Sequence, residues 1–252
     1  TLMTHPFFDH PGCLAFAHRG DHRAGPENTL LAFEGAVQQG FRYLETDTHC
    51  TLDGVLLAFH DDRLDRVTDG SGVIAELSYD AIRSVRVDGT EPIPRLDELL
   101  TSFPDTRFNI DPKSDASVTP LLRLIQDIGA EHRVCIGSFS DRRIRRVRQA
   151  VPGICTSMGP IETLRARITS LGIPTGSFEA LAAQVPIRWN GIKIVDQRFV
   201  DAIHRRGLQL HVWTVNDPTQ MEELLDLGVD GIMTDQPAIL KRILISRQQW
   251  AD

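Results

Sequence analysis

Short β-rich runs alternate with longer helical stretches along this chain, and that alternation limits the fold more than any other feature. The runs lie at 14–19, 43–49, 107–112, 134–139, 154–158, 190–195, 209–215 and 231–234. Helical periodicity occupies 28–39, 95–103, 116–128, 141–150, 160–170, 197–206, 218–227 and 237–247. Strands that alternate with helices pair in parallel, because each helix carries the chain back across the sheet. Eight such units close a (β/α)8 TIM barrel of about 250 residues, and the chain has 252. An open doubly wound sheet is the competing fold, but no Gly-x-Gly-x-x-Gly follows the first run. No linker rich in Ser, Pro or Gly divides the chain, so 1–252 reads as a single barrel domain.

One β-rich run breaks the pattern. Residues 54–61 (GVLLAFHD) follow 43–51 after a short turn, which is too little chain for a parallel crossover, so the two runs form an antiparallel β-hairpin. Asp53-Gly54 reads as a two-residue turn, and that register sets His60 opposite Asp47. The polar stretch after it, about 61–94, is predicted as a small insertion over the barrel mouth, suited to a lid or specificity role.

The polar residues within these runs point to chemistry. In YLETDTH, Glu45 and Asp47 alternate with Leu44, Thr46 and Thr48, so both acids share one face. Leu44 packs toward the helices, which turns the acids to the barrel axis near the strand ends where barrel enzymes carry their sites. Acids that face solvent or pair with Arg are the plainer explanation for most such pairs. On the axis, two like charges are costly without a cation, and hard oxygen donors suit Mg2+ or Ca2+ better than zinc. In FNIDPK, Asn109, Asp111 and Lys113 repeat the spacing. Asp111 offers a third carboxylate, or else a strand-end ion pair with Lys113. His18, Arg19 and Gly20 end the first run. With His60, His18 makes a candidate acid/base pair, histidine being the side chain type suited to proton transfer near neutral pH, and Arg19 offers a fork suited to phosphate. His5, His10, His22, His49, His132, His204 and His211 lack comparable partners. DRRIRRVR at 141–148 reads as a solvated helix face, with contact to an anionic lipid surface as the alternative.

A net charge of -7 argues against broad nucleic-acid binding. No run approaches the roughly 18–20 apolar residues of a membrane span, so no stable membrane insertion is expected. The first residues show neither a basic nor an apolar leader region, which predicts no signal peptide and a cytoplasmic location. No exposed apolar segment is evident in the sequence. The four cysteines lack zinc spacing and read as reduced thiols, buried where they fall in apolar runs. Oligomeric state has no signature here.

The sequence resembles the glycerophosphodiester phosphodiesterase family. The likeness rests on AHRG…PENTLLAF (17–33), YLETDTHCTLDGVLLAFHDDRLDRVTDGSG (43–72), IPRLDELL (93–100), FNIDPK (108–113), SFS (138–140), VWTVND (212–217) and GVDGIMTDQP (228–237), in the family's order over about 14–240. It implies a (β/α)8 barrel and metal-dependent hydrolysis of a small-molecule glycerophosphodiester to sn-glycerol 3-phosphate and an alcohol. His18 and His60 become the catalytic acid/base pair, and Glu45, Asp47 and Asp111 the ligands of one divalent cation. Arg19 and Lys113 become phosphate contacts, Glu27 lies near metal and substrate, and Trp213 lines the glycerol or head-group pocket. The attacking group implied is the glycerol 2-hydroxyl, through a cyclic phosphate that water opens. Asp111-Pro112 departs from the family's usual Glu followed by an aliphatic residue, which leaves the carboxylate one methylene shorter. Two other functions compete. One is a lysophospholipase D or sphingomyelinase D-like phosphodiesterase, which a head-group panel separates. The other is a non-catalytic phosphodiester-binding barrel, which would bind without turnover.

Overall fold

In-phase apolar alternation on consecutive strands produces the barrel that the sequence predicts. The computed structural model describes residues 5–251. Its barrel strands are Leu14–His18, Tyr43–Cys50, Arg107–Pro112, Val134–Ile136, Cys155–Thr156, Ala182–Pro186, Gln209–Trp213 and Gly231–Thr234. Each pairs in parallel with its sequence neighbour, and the first also pairs with the last. A Ser157–Ala182 bridge joins the fifth strand to the sixth and closes the (β/α)8 barrel.

Two layers of side chains fill it. Residues of one strand phase, such as Leu44, Phe108, Ile110 and Ile136, pack outward against Phe33, Leu99, Leu121 and other helix residues. The opposite phase fills the lower barrel with Phe16, Tyr43, Cys135, Cys155 and Met233, closed from below by Phe7 and Phe8. Above that plug the same inward phase turns polar. The register sets His18 beside Glu45, Glu45 beside Asn109, and Asp47 beside Asp111. The barrel thus presents a charged floor at its mouth on a rigid apolar base.

Two sequence expectations are corrected. The sixth barrel strand is Ala182–Pro186, paired over five residues with Gln209–Trp213, and not 190–195. Residues 188–193 instead form a small hairpin, Arg188–Trp189 with Ile192–Lys193. Asn190 (φ 47) and Gly191 (φ 81) turn it, as an Asn-Gly pair between short β runs signals. The small residues of ALAAQVP carry weak β propensity, so the β-branched IKIV downstream drew the assignment.

The other correction is a register. Thr48 pairs with Ala58 and Cys50 with Leu56. Thr51 and Val55 close a three-residue loop with Gly54 at φ 88. The extra loop residue shifts the pairing by one, so Phe59, not His60, lies opposite Asp47 and donates its N–H to the Asp47 carbonyl at 3.1 Å. His60 lies just past the ladder.

The insertion after this hairpin carries a short helix, Tyr79–Ile82, and a two-stranded ribbon, Arg86–Val87 with Glu91–Pro92. It packs around its own apolar cluster of Leu57, Phe59, Leu64, Ile74, Ile82, Val87 and Ile93. No helix among the described residues is long and apolar enough to cross a membrane. The arginines of Asp141–Ala150 are less solvated than expected: Arg143 pairs with Asp115 at 2.9 Å and Arg148 with Glu162 at 2.7 Å.

Candidate active site

The barrel mouth opens into a cavity of about 660 Å³. His18, Arg19, Glu45, Asp47, His60, Asp111, Lys113 and Trp213 all line it. Glu27 stands one layer behind, held by Arg19 at 3.1 Å and by Arg66 of the insertion at 2.7 Å.

Both histidines are backed by carboxylates. His18 Nδ1 lies 2.6 Å from Asp235 Oδ1, and His60 Nδ1 lies 2.6 Å from Asp61 Oδ1. An ionised carboxylate only accepts, so each Nδ1 carries the hydrogen and each Nε2 is left to exchange a proton. Asp235 is oriented in turn by Asn216, whose Nδ2 donates to Oδ2 at 2.7 Å. Burial opposes ionisation of Asp235, yet hydrogen bonds from His18 and Asn216 bring its carboxyl down to about 2. Hydrogen bonds from Arg66 hold Asp61 at about 2 as well. Burial also disfavours the charged form of His18, but Glu45 and Asp235 outweigh it and raise its pKa.

The floor is anionic and largely buried. Glu45 is 6% exposed, Asp47 2% and Asp111 8%. Lys113 Nζ sits between Asp47 Oδ1 at 2.8 Å and Asp111 Oδ2 at 2.7 Å. Arg19 Nε faces Asp47 Oδ2 at 3.1 Å without hydrogen-bond alignment. Burial would raise the Asp47 carboxyl, but Lys113 and Arg19 override it and hold it low. Burial, and then the Asp47 charge, push Glu45 up to about 7. Asp111 is also raised by burial, which Lys113 only partly offsets.

Three buried polar atoms here lack a hydrogen-bond partner: Glu45 Oε2, Asp111 Oδ1 and Arg19 Nε. Glu45 Oε2 faces His18 Nε2 at 3.7 Å, beyond hydrogen-bond reach, and carboxylate oxygens left without hydrogen bonds beneath a cavity are costly unless a cation reaches them. Hard oxygens of this kind fit Mg2+ or Ca2+ in chemical type. Among the described residues no three His, Cys, Asp or Glu side chains are gathered into a ready-made cage, because Lys113 draws Asp47 and Asp111 to itself.

The backbone is strained to build this floor. Arg19 (φ 59) and Asn28 (φ 57) both adopt left-handed conformations. Asn28 thereby accepts from Thr46 Oγ1 at 2.8 Å and reaches Asp47 Oδ2 at 3.4 Å. Such strain persists where surrounding structure enforces it, and it concentrates at functional sites. Gly20 (φ 92) cannot be replaced, since a Cβ would stand 2.6 Å from the Ala32 carbonyl carbon.

Sequence reasoning did not single out Asp235, Asn216, Asp61 or Arg66. TDQP and HDD lay inside the quoted motifs, but nothing local showed which acid would meet which histidine.

Comparison with known proteins places this chain among enzymes that cleave phosphoric diesters. The chain belongs to the glycerophosphoryl diester phosphodiesterase family, whose model matches residues 18–239. It is 36% identical over 252 residues to a probable glycerophosphodiester phosphodiesterase 2 of Mycobacterium tuberculosis, covering 97% of this chain and 95% of that one. It is 25% identical over 266 residues to lysophospholipase D GDPD1 of Rattus norvegicus, covering 90% and 85%. The crystal structure of a putative glycerophosphoryl diester phosphodiesterase from Silicibacter pomeroyi superposes with a TM-score of 0.82 at 25% identity, covering 96% of this chain and 97% of that one.

Proposed function

We propose that this enzyme hydrolyses glycerophosphodiesters to sn-glycerol 3-phosphate and an alcohol, with His18 and His60 as the acid/base pair. Glu45, Asp47 and Asp111 hold one divalent cation, Mg2+ or Ca2+. The observation that carries the reading is the pairing of two carboxylate-backed histidines with a buried acidic floor in one cavity.

The chain's own residues perform the proton chemistry. One imidazole Nε2 takes the proton of the attacking hydroxyl as its oxygen closes on phosphorus. The other delivers a proton to the alcohol oxygen as the P–O bond breaks, so neither group carries a full charge. With the two imidazoles exchanging roles, water then adds to the resulting cyclic phosphate while the 2-oxygen takes back its proton, releasing sn-glycerol 3-phosphate. Asp235 and Asp61 fix the tautomers that make both transfers possible. Lys113 and Arg19 bring positive charge to the non-bridging oxygens, where negative charge grows. Glu27 braces Arg19 from behind. When bound, the cation supplies further neutralisation and polarises a phosphate oxygen.

The test is a panel of glycerophosphocholine, -ethanolamine, -glycerol and -inositol with added Mg2+ or Ca2+, read as glycerol 3-phosphate released. Chelation should abolish turnover and readdition restore it, and loading should raise the melting temperature of the metal-stripped protein. Full turnover after stripping overturns the metal assignment. No turnover of any diester overturns the reading itself.

A further inference from the structure

The two histidines differ in what holds their carboxylates. Asp235, behind His18, is oriented by Asn216 of the barrel rim. Asp61, behind His60, is held instead by Arg66, a residue of the insertion. That guanidinium makes four hydrogen bonds. Its Nε and Nη2 donate to Asp61 Oδ2 and Oδ1 at 2.5 and 3.1 Å. Its Nη2 and Nη1 donate to Glu27 Oε1 and Oε2 at 2.7 and 3.3 Å. Glu27 lies in the loop after the first barrel strand and passes the contact on to Arg19 at 3.1 Å. One side chain thus joins the segment that carries a proton donor to the segment that carries a phosphate contact.

The insertion fixes the backbone beneath Arg66. The Leu64 N–H donates to the Gly72 carbonyl at 3.0 Å, and Thr68 Oγ1 donates to the Leu64 carbonyl at 2.7 Å. Leu64 itself is buried in the apolar cluster of the insertion. The plainer account is a solvated ion-pair cluster, since the Arg66 side chain is about half exposed. Arg63 is such a case, pairing with Asp65 two residues on, both about half exposed. Exposed pairs of that kind contribute little to stability. Stability alone gives no reason for the Arg66 cluster to end on His60 at one side and Arg19 at the other. A planar fork that meets two carboxylates by parallel hydrogen bonds fixes direction as well as charge.

We propose that Arg66 is a positioning residue that braces both ends of the catalytic centre from the insertion. Through Asp61 it aims the His60 imidazole, and through Glu27 it aims the Arg19 guanidinium. This rests on the phosphodiesterase function proposed above. Arg66 stands outside the cavity lining, so it works through these two acids and touches no substrate. A misplacement of about 1 Å in such a group can cost about 10²-fold in rate.

The test is a set of double-mutant cycles on the metal-supplemented enzyme, with the diester it turns over fastest. R66A should lower kcat by about 10²-fold as His60 loses its aim, and raise KM as Arg19 loses its brace. In a D61N background R66A should still raise KM but leave kcat nearly as it is. In an E27Q background it should still lower kcat but leave KM nearly as it is. In D61N/E27Q it should change neither. Equal fold-changes in all four backgrounds are what a merely structural role produces, and they overturn the proposal. Wild-type kcat and KM in R66A overturn it too and leave the parent function standing. R66K keeps the charge and the stem, and it carries the test if R66A folds poorly. An ammonium cannot serve both acids with parallel hydrogen bonds, so R66K should still show a lower kcat and a higher KM. Full activity in R66K overturns the fork. No turnover of any diester by the wild type overturns the parent function and this proposal with it.

Discussion

Replacing Glu45 with Gln should stabilise the metal-free protein while destroying its function. Glu45 is 6% exposed, its Oε2 has no hydrogen-bond partner, and Asp47 is its like-charged neighbour. Burial and that charge raise its pKa from 4.5 to about 7, which corresponds to about 3 kcal/mol of destabilisation. The sign follows from proton counts. Below about pH 4.5 both folded and unfolded states hold the proton, and nothing is lost. Between about 4.5 and 7 the unfolded chain releases it while the folded one keeps it, so stability falls as pH rises. Above about 7 the full penalty applies. Glutamine removes the charge but leaves a buried amide, at a cost of about 1–2 kcal/mol. The net gain is about 1–2 kcal/mol, or about 2–8 °C in melting temperature for a chain of this length. Thermal melts in chelator at pH 8 and pH 5 measure it. The variant should melt higher at pH 8, with the gain shrinking toward pH 5. Added Mg2+ or Ca2+ should stabilise the wild type and the variant much less. A variant that melts lower than wild type at pH 8, or a gain equal at both pH values, refutes the reasoning.

His60→Ala should lower kcat by about 10²–10⁴-fold, and near-wild-type turnover in a steady-state assay would remove His60 from the mechanism. Asp235→Asn, which favours the wrong tautomer of the imidazole it holds, should lower kcat by up to about 10⁴-fold with little change in KM. Because Asp235 helps to raise the His18 pKa, the pH–rate limb due to His18 should also move to lower pH, and an unmoved limb contradicts the positioning role. Gly54→Ala places a side chain in a left-handed turn (φ 88) with no atom within 4 Å, so strain is its only cost. A loss of about 1 kcal/mol is expected, seen as a melting point about 2–4 °C lower, and an unchanged melting point argues against the three-residue loop.

The sequence alone determined whatever depends on local period and on one element at a time. Alternation of β-rich and helical runs specified the barrel, because parallel strands require helical crossovers. Period-two alternation put Glu45 and Asp47, and likewise Asn109 and Asp111, on the inward face, and the cavity lining agrees. Motif order pointed to the family that the comparisons show. Tertiary structure decided whatever depends on pairing between distant segments. The Asp53-Gly54 turn did not reveal its loop length, and one added residue moved Phe59 opposite Asp47. The weakly β-prone ALAAQVP became a barrel strand because Gln209–Trp213 offered it a full ladder of hydrogen bonds. His18 meets Asp235 across 217 residues, and the rings of Phe139, Trp189 and Trp213 meet along one side of the cavity. Hydrogen bonds and desolvation act over a few ångströms in space, whatever the separation along the chain. Residue types therefore announced the chemistry, while its partners, its pKa shifts and the apolar side of its pocket appeared only once the barrel closed.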